Sequence, residues 1–311
     1  MQLYAMGASS DEQTLYIDFL DSWSCADVLD VRVVERSEAE RIESFVDFAK
    51  DFLNEGFSCV IWVDESHLRS WSEPFVHDLL LHGYDDRTRE FDVLGFDGDR
   101  VFTRLRWGYE EFSEAFARGL RLSAPGGPFE YIHHPMRLMR AKGQSHEFSL
   151  PVFRGQVCDF LGGPSADPTR DGRSNWWWTF HPDPEKLPDD FSTVTGVAVY
   201  ERFLYQLGEL HRKGREVDYR LFHLLWEHKA GMVKRLEYVS ENLGMGKYLQ
   251  DVTAGYRMLT SDLFRLRMNV LAEMRRGRAD GNIPEHADAV RRVWQREESV
   301  AEKLHAVLRV F

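Results

Sequence analysis

Three thiols, twelve imidazoles and fifty-one carboxylates are the groups through which this 311-residue chain could do chemistry. Cys25, Cys59 and Cys158 are too few and too scattered for a disulfide framework or a zinc site. Cys25 sits in the polar stretch 22–27 (SWSCAD) and reads as a loop thiol. Cys59 lies inside the apolar run 57–63, where burial raises a thiol's pKa and favours a core role. Cys158 falls on a helical pattern over 152–161 and reads as packing. His133, His134, His146 and His181 match no metal-ligand spacing, so no metal site is expected. His223 and His228 are five apart on a helix and do not share a face. Glu227, His228 and Lys229 with Arg235 read as an ion-pair network, with the lining of a cleft as the alternative. Trp176, Trp177 and Trp178 cannot all face one core; either they spread through it, or at least one lines a pocket, covers a cleft or packs at an interface. No GxGxxG, P-loop or GxSxG motif occurs, so nucleotide and serine-hydrolase chemistry lack support.

The net charge of −12 argues against general nucleic-acid binding. Residues 1–200 carry 19 basic against 35 acidic side chains, and residues 201–311 carry 20 against 16. This asymmetry points to two regions of different character. No apolar run approaches the ~20 residues of a membrane span, and 1–10 has no secretory-signal pattern. The expectation is a cytoplasmic protein without a membrane partner.

Two kinds of element must position these groups. Residues 15–19 and 28–34 read as strands. Ser37 and Glu40 form a capping box for a helix with apolar positions running to Leu53. The run 57–63 (FSCVIWV) reads as a strand buried on both faces, 64–74 as a polar loop, 76–82 as a strand and 83–86 as a turn. Residues 90–96 and 100–105 form a hairpin around Asp97-Gly98-Asp99, and 109–120 is a helix. Beyond the Pro-Gly-Gly-Pro boundary at 125–128, a strand over 131–140 and a short helix over 152–161 are expected. Residues 162–175 read as a mobile loop. Four helices follow at 197–211, 218–243, 251–276 and 284–310, the second ended by Gly244.

The order of Val63-Asp64-Glu65, His77-Asp78-Leu79-Leu80-Leu81-His82-Gly83-Tyr84-Asp85, Val93-Leu94-Gly95-Phe96 and Tyr109-Glu110-Glu111-Phe112 resembles the butirosin-biosynthesis-protein-H-like family. Gly196-Val197-Ala198-Val199-Tyr200 and the stretch from Asp218 to Leu236 resemble that family's helical C-terminal region. Its members occur in antibiotic and non-ribosomal peptide gene clusters. The resemblance implies an α+β protein: a papain-like antiparallel sheet half (1–125) packed against a mainly helical half (126–311), with a cleft between them. It implies natural-product biosynthesis by transfer or modification of an acyl or aminoacyl group on a carrier-protein-tethered or peptide substrate, without a cofactor. The partners would be an acyl or peptidyl carrier protein and a small-molecule or peptide acceptor, with a homodimer left open. His77 falls on the family's catalytic histidine, Asp97 is the first candidate to orient it, and Asp92 is the second. Asp78 ranks lower, because a regular strand turns it to the opposite face. Gly95 stands where related peptidases often carry their acid. Only about 14 residues precede Leu15 and none is cysteine, so the segment bearing the family's nucleophile is expected to be missing. Cys25 is then the candidate nucleophile, and His77 acting directly on the substrate is the alternative. Tyr84, Trp176, Trp178, Glu227 and His228 are candidates for substrate contact. The competing expectations are a catalytically silent carrier-protein-binding accessory, docking through the basic helical face, and a cyclase or hydrolase recruited from the same fold.

Overall fold

The computed structural model describes residues 3–8, 16–19, 28–97, 102–130, 132, 134–143, 148–162, 191–277 and 282–311. It is an α+β protein in two units. One comprises the described residues of 28–143, and the other those of 3–19, 148–162 and 191–311.

The first unit is an open, fully antiparallel six-stranded sheet. Its strands are β3 (Leu29–Val34), β4 (Ser58–Asp64), β5 (Val76–Asp85), β6 (Glu90–Phe96), β7 (Phe102–Gly108) and β8 (Met136–Ala141). Their spatial order is β3-β8-β4-β5-β6-β7. β4 to β7 are the expected meander, and β8 returns to fill the place between β3 and β4. The boundary expected at 125 therefore cuts this sheet, because backbone pairing after the Pro-Gly turn was invisible in local composition. The helices are α1 (Arg36–Ala39), α2 (Phe45–Asn54), α3 (Glu65–Arg69) and α4 (Tyr109–Leu122).

The helix expected to open at Ser37 is broken. Ser44 is extended and accepts a hydrogen bond from the Asp47 amide at 3.3 Å, so α2 starts afresh at Phe45. On β4, Cys59, Ile61 and Val63 are fully buried while Ser58, Val60 and Trp62 are half-buried. This alternation replaces the two-face burial expected for the run. Phe45 and Phe52 of α2 and Phe112 and Phe116 of α4 join the same core as the buried row of β4. α4 comes close enough to β4 that a Cβ at Gly119 would stand 3.1 Å from the Trp62 carbonyl oxygen. The turn expected at 83–86 is later, because Gly83, Tyr84 and Asp85 remain in β5 and pair with Asp92, Phe91 and Glu90.

The second unit has a small antiparallel sheet in the order β2-β1-β9, from β1 (Leu3–Ala8), β2 (Tyr16–Phe19) and β9 (Phe191–Thr195). β1 and β9 were not anticipated, and their pairing assigns the first residues of the chain to this unit. The helices are α5 (Leu150–Gly162), α6 (Ala198–Arg212), α7 (Tyr219–Asn242), α8 (Gly246–Arg275) and α9 (Ile283–Leu308). Asp218 caps α7 by accepting from the Arg220 amide at 2.9 Å. Gly244, at φ +67°, turns the chain into α8. α8 begins five residues before the expected Asp251, because Met245 and Leu249 are buried anchors at its start. Among the described residues no helix is long and apolar enough to cross a membrane.

Cys25, Trp176, Trp178, His133, His146 and His181 lie outside the described residues, as do Gly98, Asp99 and 163–175 of the expected loop.

Candidate functional site

β4 delivers two acids at its end, where the strand leaves the core and turns into α3. Asp64 and Glu65 are both buried, at 0% and 2% exposure. A buried carboxylate must be paired or hydrogen-bonded to stay ionised. Asp64 accepts from the Ser66 amide (3.1 Å), the Ser66 hydroxyl (2.5 Å), the Phe75 amide (3.3 Å) and Arg118 Nε (2.8 Å). Burial alone would raise its pKa; these donors outweigh burial and hold its carboxyl below the usual range. Glu65 Oε2 accepts from Arg69 Nε at 2.6 Å, and Arg69 also donates to the Phe96 carbonyl.

Glu65 Oε1 points to a different partner. It lies 3.3 Å from Nδ1 of His77, the second residue of β5. The two atoms face each other without the alignment of a full hydrogen bond, and both are buried with no other hydrogen-bond partner. Catalytic hydrogen bonds often stand this way before substrate arrives. His77 Nε2 lies 3.7 Å from Asp78 Oδ1. Burial favours the neutral imidazole, but Glu65 and Asp78 outweigh it, and the His77 pKa is raised above its ordinary value. Glu65 responds in the opposite sense. Burial would raise it, while His77 and Arg69 bring it below the usual carboxylate range.

Aromatic rings frame the imidazole. Phe75 stacks on it at 5.3 Å and 12°, and Phe96 and Trp62 meet it edge-on at 6.2 and 6.5 Å. Its side chain is one-third exposed, at 33%. A ring held by packing and by a buried carboxylate, yet reachable from outside, can take a proton from a substrate group and return it.

The expected orienting acid was Asp97. Continuing the register of Leu80 with Leu94 along β5 and β6 would bring Asp97 opposite His77, but pairing between these strands begins only at Leu80. The carboxylates acting on His77 are Glu65 and Asp78. Asp92 instead accepts from Arg106 at 2.9 Å. A Cβ at Gly95 would meet Leu79 Cδ2, so a side chain there would have to displace the buried Leu79. Sequence reasoning missed Glu65. The available signal was two consecutive acids directly after the most apolar strand of the chain.

Tyr84 donates to Asn54 Oδ1 at 2.9 Å and so ties β5 to α2. Seven residues of strand, about 23 Å, separate it from His77. Cys59 is fully buried on β4, and burial pushes its thiol up, away from reactivity. Cys158 is exposed on α5 in the other unit.

A second polar cluster stands in the helical unit. Lys229 of α7 and Glu297 of α9 are completely buried, with Nζ 2.6 Å from Oε1. Oε1 lies off the hydrogen-bonding direction, so this is a charge contact. Tyr200 of α6 donates to Glu297 Oε2 at 2.5 Å, and Lys229 Nζ is 2.7 Å from His228 Nδ1. Lys229 also lies over the rings of Phe160 and Tyr200, each at 5.4 Å. The expected network is therefore present for His228 and Lys229, with Glu297 as its acid. Glu227 is exposed and pairs instead with His223 at 3.4 Å. Burial, then the charges of Lys229 and Arg235, hold His228 well below its ordinary pKa. Among the described residues no group of three His, Cys, Asp or Glu side chains could hold a metal ion. Set beside known proteins, the chain matches no family model and no curated protein.

Proposed function

We propose that the sheet unit carries an acid–base site in which His77 is the proton-transferring group and Glu65 its orienting carboxylate, serving acyl or aminoacyl transfer. One observation carries this reading: a one-third-exposed imidazole whose buried Nδ1 faces the otherwise unengaged Oε1 of a buried glutamate. A carboxylate at Nδ1 fixes the proton there and leaves Nε2 as the base, the arrangement that serves nucleophilic acyl transfer on several unrelated folds. His77 at the start of a central strand of an antiparallel meander also suits the papain-like arrangement that the sequence resemblance implies.

In the proposed reaction Nε2 takes the proton from the nucleophile, and the imidazolium is stabilised by Glu65 and Asp78. The nucleophile is the Cys25 thiol or, without it, the acceptor amine. It adds to the thioester carbonyl of a carrier-bound substrate. The C–S bond of the carrier then breaks, and the imidazolium returns the proton to the departing thiolate. With a cysteine nucleophile, the amine repeats the attack on the enzyme thioester, and its proton leaves through the same imidazole. Natural-product assembly, a carrier protein and an amine acceptor come from the resemblance.

The test is intact-mass spectrometry of the full chain after incubation with an acyl-loaded carrier protein and an amine. Acyl-enzyme or acylated amine should form, slow markedly in His77→Ala, and lose the enzyme adduct in Cys25→Ala if that thiol is used. Carrier binding that survives both substitutions with no acyl movement would make the chain an accessory, not an enzyme.

A further inference from the structure

The sheet of the first unit is open, with β3 at one edge and β7 at the other. Lys142, just after β8, donates its amide to the Val28 carbonyl at 3.0 Å, in register with the β3–β8 pairs. In an antiparallel ladder, facing residues exchange backbone bonds at every second position. Val28, Asp30, Arg32 and Val34 therefore turn their backbone groups toward β8, and Leu29, Val31 and Val33 turn theirs outward. Among the described residues no hydrogen bond reaches those outward groups. Val31 and Val33 are also exposed, at 37% and 39%. An uncovered β-branched edge without proline is a template for another strand.

The charges on β3 select that strand. Two copies of β3 related by a two-fold axis pair antiparallel, and their outward groups meet only when the axis passes through a residue. An axis at Asp30 sets Asp30 against itself, and an axis at Arg32 sets Arg32 against itself. An axis nearer either end leaves most of the strand unpaired. An axis at Val31 places Asp30 opposite Arg32 of the second copy twice, and Leu29 opposite Val33 twice. Asp30 and Arg32 then meet at the positions without backbone bonds, where side chains approach most closely. Within each chain Arg140 holds Asp30 at 2.8 Å, and Glu38 holds Arg32. Pairing would join these into a row of alternating charge across the axis. The other edge lacks this property. The same operation on β7 about its central Leu105 sets Arg104 against Arg106 of the second copy.

We propose that the protein forms a two-fold dimer in which β3 pairs antiparallel with β3 of a second copy about Val31, joining the two sheets into one. The inference does not rest on the reaction assigned to His77. Like charges in the two neighbouring registers exclude them, so the edge specifies one pairing with itself.

The experiment is sedimentation velocity of the full chain from about 1 to 100 µM, a range suited to a small interface. Wild type should pass from monomer to dimer. Asp30→Arg and Arg32→Asp each turn two opposite-charge pairs into like-charge pairs, and each should weaken the dimer at least about tenfold. An equimolar mixture of the two variants restores both opposite-charge pairs and should dimerise about as well as wild type. A role confined to one chain could not produce association on mixing. Should either variant fail to fold, hydrogen exchange of the wild-type peptide spanning 28–34 decides. Protection that rises with protein concentration supports the pairing, and protection independent of concentration overturns it. The proposal is also overturned by a wild type that stays monomeric at about 100 µM, by a dimer that both folded variants retain, or by a mixture that stays monomeric.

Discussion

The two polar clusters are built from the same side-chain types and reach opposite outcomes. In the helical unit, Lys229 and Glu297 are completely buried, with the rings of Tyr200 and Phe160 against Lys229 and Trp294 stacked on Tyr200. In the sheet unit, Glu65 is as deeply buried, but its partner His77 stands one-third exposed at the end of a strand. The first arrangement gives a charge no route to a substrate. The second leaves an imidazole open to solvent beside a carboxylate that solvent cannot reach, the arrangement on which the proposed proton transfer rests. Burial of one member of a pair tunes chemistry, whereas burial of both commits the pair to structure.

The sharpest way to break this comparison is to remove one member of each pair. Glu297→Ala leaves Lys229 buried without its anion and should cost about 3–5 kcal/mol in urea unfolding. Replacing Lys229 and Glu297 together by methionine should recover most of that loss. His77→Ala should cost far less stability, about 1 kcal/mol or less, while lowering the proposed acyl transfer by roughly 10²–10⁴-fold. Equal stability losses at the two sites would erase the distinction.

Acidity sharpens it further, because the two histidines have opposite signs. The folded pKa of His77 is raised, so its stabilisation is fully present below the unfolded value near 6.5 and is lost as pH rises through the folded value. His228 is lowered, so its contribution is present above 6.5 and is lost as pH falls toward its folded value. Asp64 and Glu65 are also lowered, so the sheet unit loses their stabilisation only as pH falls below the ordinary carboxylate range. Hydrogen exchange followed by mass spectrometry, corrected for intrinsic rates, should show the helical unit loosening between pH 7 and 5.5 while the sheet unit holds. His228→Gln should remove much of that loosening. The smallest expected effect is at a cap: Ser44→Ala should cost about 1 kcal/mol through fraying of α2.

Much of the meander was legible in the sequence because its information is local. The bounds of β6 follow from alternation and turn chemistry alone, and Gly244 marks the end of α7 for the same reason. Elements that depend on a distant partner were not legible. β1 and β9 are short strands that exist through each other, nearly two hundred residues apart. β8 was foreseen as a strand, but its place inside the sheet was not. The same holds for the sites. His77 was picked out through the family pattern, but the buried carboxylate found beside it comes from the turn into α3, which that pattern did not point to. Glu297 and Lys229 were each visible as a charge within an apolar helical stripe, Val290–Val293–Glu297–Val300 on α9 and Phe222–Leu225–Lys229–Met232 on α7. Two such interruptions on separate helices can cancel only if they meet, and only the packing shows that they do.

The central claim is that Glu65 sets the state of His77. Nitrogen-15 imidazole NMR of the full chain, titrated in wild type and in Glu65→Gln, reads it directly. The predicted result is an Nδ1–H tautomer in the neutral ring and a pKa above 6.5 that falls when Glu65 is replaced. A His77 that titrates at or below 6.5, carries its neutral proton on Nε2, or ignores the substitution would contradict the account.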